Sequence, residues 1–202
     1  MKANAGMFCW VAGFARSLIV GCLLISTSIP SSAAPDPRLW DREKAEATER
    51  QAYACSALML ILTSASEPQV PKELNATATQ FGMIFASVAG SATSMRLGDA
   101  INNGYVTQVR DREVRIILAK WQTDKAGVTK TASDCLGWGL SIKEELASGK
   151  LSSPTNARFQ PPYEQEDIRF VSGWLDRSFD AFQKMGGVTP SDIKEMLRRD
   201  LR

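Results

Sequence analysis

Apolar residues recur every three or four positions along most of the chain, the pattern of helices that bury one face. No segment alternates with the period of two that marks strands. Helices are predicted from Asp36–Pro37 to about Ser64, Pro71 to Met95, Tyr105 to Thr123, Thr131 to Ser148 and Ile168 to Gly186, with a short last one after Thr189–Pro190. The sequence therefore predicts an all-α fold, a single-domain bundle of five or six helices.

One long segment between predicted helices, near 149–163, has no helical periodicity and contains several Ser and Pro residues. Phe159 and Tyr163 lie in it. We expect them to anchor the segment to the bundle, and they are also candidates for contact with a partner. Trp40 is a third candidate because it stands in a charged stretch of the first helix, although packing against the bundle is an alternative for it.

The N-terminal region has the pattern of a secretory signal peptide. Lys2 and Arg16 are its charged residues, and the apolar stretch 18–29 has 12 residues, too few to cross a hydrocarbon core of about 30 Å as a helix. Small residues then precede a predicted cleavage after Ala33. Residues 1–33 are thus predicted as the signal and 34–202 as one exported domain in the bacterial periplasm. Lipidation of Cys22 is the alternative, although the apolar run continues beyond it.

Charge and composition exclude some classes of function. Cleavage would remove Lys2 and Arg16 from 24 basic residues and leave 22, equal to the 22 acidic ones, so net charge gives no reason to expect nucleic-acid binding. The chain has no histidine. This excludes enzymes that use a Ser-His-Asp triad or a Cys-His pair, and it means that the commonest neutral metal ligand is missing. No spacing identifies catalytic, cofactor-binding or metal-ligating residues, and none is predicted.

Two cysteines, Cys55 and Cys135, remain in the predicted exported domain. An even pair in an oxidising compartment favours a disulfide, and each cysteine lies on the apolar stripe of its own helix. We therefore expect a bond that joins the first helix of the domain to the fourth. Free buried thiols and a redox-active pair are alternatives, but the Cys-x-x-Cys spacing of redox pairs is missing.

These features favour an exported, non-enzymatic helical protein that binds another exported or envelope protein, as a chaperone, an inhibitor or immunity protein, or an assembly subunit. We expect no transmembrane span in the exported domain. The alternative is a small-ligand carrier or a histidine-independent enzyme with a pocket between helices, at the groove of small residues Gly82, Ala86 and Gly90. A cavity lined by Arg110, Glu113 or Asp134 would favour that alternative.

Overall fold

The computed structural model describes residues 42–64, 70–99, 101–161 and 163–186. This part of the chain forms five α-helices and no strand. Their bounds are α1 Arg42–Leu62, α2 Lys72–Leu97, α3 Asn103–Thr123, α4 Lys125–Ala147 and α5 Ile168–Gly186, with a 3₁₀ turn at Pro154–Asn156. The prediction of an all-α, single-domain bundle is confirmed. Among the helices described, none is both long and apolar enough to cross a membrane.

Side-chain caps explain where three of the helices begin. Asn102 accepts a hydrogen bond from the backbone N–H of Tyr105 at the start of α3, and Asp124 accepts one from Gly127 N–H at the start of α4. At α5, Asp167 accepts a bond from Arg169 N–H. These oxygens satisfy backbone donors that have no partner inside the helix.

The first helix, α1, lies at the centre of the bundle and packs against each of the other four. Its apolar second half, 57–62, is buried except for Leu60, which is half-buried. Trp121, Trp138 and Trp174 are also buried. A helix that packs against several others presents apolar side chains on most of its faces, as 57–62 does.

The predicted disulfide is present between α1 and α4. The Sγ atoms of Cys55 and Cys135 lie 2.06 Å apart, and both residues are fully buried. The half-buried side-chain amide of Gln51 lies beside the bridge and donates to both sulfurs, at 3.6 and 3.8 Å. The bond thus joins two helices that are far apart in sequence, as the two cysteine-bearing stripes predicted.

The predicted start of α4 near Thr131 is wrong, since α4 begins at Lys125. Threonines hide the earlier start in the sequence because they are poor helix formers. In the structure the hydroxyls of Thr129 and Thr131 donate to the carbonyls of Lys125 and Gly127, one turn back. The predicted start of the first helix at Asp36 and the predicted short helix after Thr189–Pro190 lie outside the described residues.

Candidate functional site

The segment between α4 and α5 is anchored to the core by its aromatic residues, as expected. The rings of Phe159 and Tyr163 lie 5.3 and 6.2 Å from the buried ring of Trp138. The backbone N–H of Phe159 also donates to Thr48 on α1 at 3.1 Å. Both rings are only half-buried, so they hold the segment in place and still reach the surface. Their role as partner contacts stays a prediction, and Trp40 lies outside the described residues.

The hydroxyl of Tyr163 closes a tight turn in this segment. It accepts a hydrogen bond from Gln160 N–H at 2.7 Å and donates to the Arg158 carbonyl at 3.0 Å. Burial raises the pKa of Tyr163, and the bond from Gln160 only partly opposes that effect. The hydroxyl therefore keeps its proton at neutral pH, which it needs in order to donate to Arg158.

The chain after Tyr163 then runs along the outer face of α4. Ser133 on α4 donates to the carbonyl of Glu166 at 2.9 Å, and the side-chain amide of Gln165 donates to Asp134 at 2.7 Å. The close approach requires glycine at position 137, because a Cβ there would collide with the carbonyl oxygen of Glu164. Residues 163–167 are thus held against α4 by backbone contact as well as by side chains.

A surface cleft lies where this segment meets α4, with a volume of about 480 Å³. We refer to it as the α4 cleft. Four carboxylates and one exposed leucine are part of its lining, and among the described residues no lysine or arginine is. From α4 the lining residues are Gly137, Leu140, Ser141 and Glu144, and from the segment they are Tyr163, Glu164, Gln165, Glu166 and Asp167.

The carboxylates of the cleft come from both sides of it, Glu144 from α4 and the other three from the segment. In the part of the chain that the structure describes, no three acidic or cysteine side chains are arranged to hold a metal ion. Asp167 is already engaged, since it accepts backbone N–H bonds at the start of α5. The arrangement is an acidic cleft with an apolar side chain, Leu140, in its α4 wall, which suits a ligand that offers positive charge and apolar surface together.

The groove of small residues, which the sequence offered as a pocket, is occupied by neighbouring helices. A Cβ at Gly82 would lie 3.3 Å from Met59 on α1, and one at Gly90 would lie 3.5 Å from Val106 on α3. The small residues therefore serve close helix packing. Arg110, Glu113 and Asp134 are not among the lining residues of the α4 cleft.

Sequence reasoning missed the α4 cleft. In the sequence, Glu144 lies beside Glu145 on a helix, where neighbouring side chains diverge by about 100°. Glu164 to Asp167 precede a helix start, where negative charge is favourable. Asp167 does cap α5, but the fold also brings Glu144 and Glu164 to one cleft. The available signal was Gly137, since a residue without a Cβ lets another segment of backbone come close.

Comparisons of the chain with protein-family models, with curated proteins and with solved structures gave no match. Function is therefore inferred from the residues of this chain alone.

Proposed function

We propose that the protein is exported to the bacterial periplasm after cleavage following Ala33 and acts there by binding another exported or envelope protein. The classes we consider are a chaperone, an inhibitor or immunity protein, and an assembly subunit. The observation that carries the proposal is the α4 cleft, a preformed surface with an exposed leucine and four carboxylates. Apolar surface beside uncompensated charge is a common composition for a protein-binding surface.

Support also comes from the rigidity of the surface. Residues 163–167 are fixed to α4 by hydrogen bonds from Ser133 and Gln165 and by the stacked ring of Tyr163. A preformed surface loses little conformational entropy when a partner binds, which increases affinity for a given contact area.

Export is tested by intact-mass analysis of the protein recovered from the periplasm. We expect a chain that begins at Ala34 and in which Cys55 and Cys135, under denaturing conditions, resist alkylation until a reductant is added. A lipid-modified chain that begins at Cys22 would support the alternative of a lipoprotein, and an uncleaved chain in the cytosol would overturn export.

Protein binding is tested by crosslinking the exported protein in intact cells and identifying its products by mass spectrometry. We expect one defined partner whose recovery falls when excess unlabelled protein competes. The experiment makes no assumption about which surface is used, since any crosslinked position counts. Recovery of no competable partner under conditions in which the protein is fully exported would overturn the proposal.

A further inference from the structure

We propose that the α4 cleft docks a basic segment of the partner, in which an arginine or lysine stands next to an apolar residue. This inference rests on the proposed function of protein binding and specifies the surface and the chemistry of its partner. The apolar residue would contact Leu140, and the cation would lie among the carboxylates of the cleft.

The apolar half of the inference comes from the outer face of α4. Leu140 is 44% exposed, although its helix neighbours Trp138 and Ile142 are buried in the core. The side chain lines the cleft, so it is set into a concave surface. An apolar partner side chain that covers it would remove both surfaces from water.

The charged half of the inference comes from a comparison of the cleft carboxylates with carboxylates elsewhere in the molecule, several of which form ion pairs. Arg96 pairs with Glu49 on a neighbouring helix, Lys125 with Asp176 at 3.1 Å, and Lys130 with Asp134 at 2.8 Å. By contrast, Glu144 and Glu164 form no ion pair with any residue that the structure describes.

Glu166 also makes no such pair, so three cleft carboxylates have no ion-pair partner in the described part of the chain. Asp167 adds a fourth negative charge to the same lining. Like charges in one cleft raise its negative potential and attract a cation from solution. The carboxylates do not form a three-ligand metal site in the described residues, so a cationic side chain of a partner suits them better than a metal ion.

The test uses a short fluorescein-labelled peptide that contains two Arg-Leu pairs. Binding to the disulfide-bonded protein is followed by fluorescence anisotropy, and the contact surface is mapped by amide chemical shifts. We expect binding that weakens with added salt, with the shifted amides concentrated in 137–144 and 163–167.

Variants test the charged and the apolar parts of the cleft separately. Glu144→Gln and Glu164→Gln are each expected to weaken peptide binding about two- to five-fold, in line with single exposed charge pairs. Leu140→Ser is expected to weaken it by about three-fold or more, because apolar contact is lost. The matched controls are Glu73→Gln and Met83→Ser, which change an exposed carboxylate and a 62% exposed methionine on α2 and should leave binding unchanged.

Control ligands separate the proposal from general attraction of cations. A peptide with Arg-Ser pairs should bind several-fold more weakly than the Arg-Leu peptide, and one with Glu-Leu pairs should not bind. Equal binding of spermidine, calcium or the Arg-Ser peptide would overturn the proposal in favour of nonspecific charge attraction. Failure of the Arg-Leu peptide to bind, or shifts mapped to another surface, would also overturn it. A partner crosslinked in cells through another surface would then leave the proposed function intact.

Discussion

Two glycines within helices show how the same substitution by alanine can have opposite effects on stability at different sites. A Cβ at Gly139 would lie 2.5 Å from the ring of Phe81, which is fully buried. At Gly173 on α5 the nearest atom would be the flexible guanidinium of Arg177, at 3.6 Å. Alanine favours a helix over glycine at both sites, so the space around the new methyl decides the sign of the change.

We therefore predict that Gly139→Ala lowers the free energy of unfolding by about 1–2 kcal/mol, because overpacking exceeds the gain in helix propensity. Gly173→Ala is the matched control and should raise it by about 0.5–1 kcal/mol. Urea denaturation monitored by tryptophan fluorescence measures both values. A stabilising Gly139→Ala would show that the Phe81 ring moves aside at little cost.

A half-buried carboxylate on α3 links stability to pH. Burial raises the pKa of Glu113, and the nearby charges of Lys120 and Arg112 only partly offset this. A raised pKa means that the folded state binds a proton more tightly than the unfolded chain does. The contribution of Glu113 to stability is therefore greatest at pH values below its unfolded pKa and declines as pH rises through its folded pKa.

The corresponding prediction is that Glu113→Gln stabilises the protein at pH 7 by about 0.5 kcal/mol or less, the range for partly exposed substitutions. The advantage over wild type should shrink as pH falls through the raised folded pKa of Glu113 and be gone below the unfolded pKa, about 4.3. Thermal melts of both proteins across pH 3.5–7.5, read as the difference in midpoint, measure it. A difference that is constant across this range would contradict the assigned protonation.

At the scale of elements, the turn closed by Tyr163 predicts a local effect. Tyr163→Phe removes the bonds with Gln160 N–H and the Arg158 carbonyl but keeps the ring on Trp138. We expect faster amide exchange at Gln160 and faster tryptic cleavage after Arg158, with a loss of about 0.5–1.5 kcal/mol in unfolding free energy. Tyr105→Phe, an exposed tyrosine on α3, is the control. Unchanged exchange and cleavage would show that the ring contact alone holds the turn.

Helical elements could largely be predicted from the sequence because their apolar spacing is a local property. The apolar stripe around Cys135 predicted burial that the structure confirms, and the apolar stretch 57–62 is buried except for Leu60. The early turns of α4 could not be predicted, because threonine has a low helix propensity. In the structure Thr129 and Thr131 fit the helix by donating hydrogen bonds to carbonyls one turn back. The α4 cleft could not be predicted either, because Gly137 signals a close approach but not that residues 163–167 are the distant segment that folds back onto it.

At the scale of the whole molecule, the disulfide crosslinks the central helix α1 to one of the helices that it packs against. α1 packs against every other helix that the structure describes, and Cys55 joins it to α4 across a sequence separation of 80. Closing a loop of that length lowers the entropy of the unfolded chain, which corresponds to about 4.5 kcal/mol of stabilisation as an upper value. This is a large share of the roughly 5–15 kcal/mol by which a typical domain is stable.

We predict that replacing Cys55 and Cys135 together by alanine lowers the free energy of unfolding by about 2–4.5 kcal/mol. The helical far-ultraviolet signal should remain if the rest of the core supports the fold. Because both cysteines are fully buried, dithiothreitol should reduce the wild-type bond slowly in buffer and much faster in urea, where unfolding exposes it. The control is Gln51→Ala, which removes the amide that donates to both sulfurs but leaves the loop closed, so it should cost far less. If it cost as much as the double alanine variant, local packing around the bridge would carry the stabilisation, and the entropy of the closed loop would not.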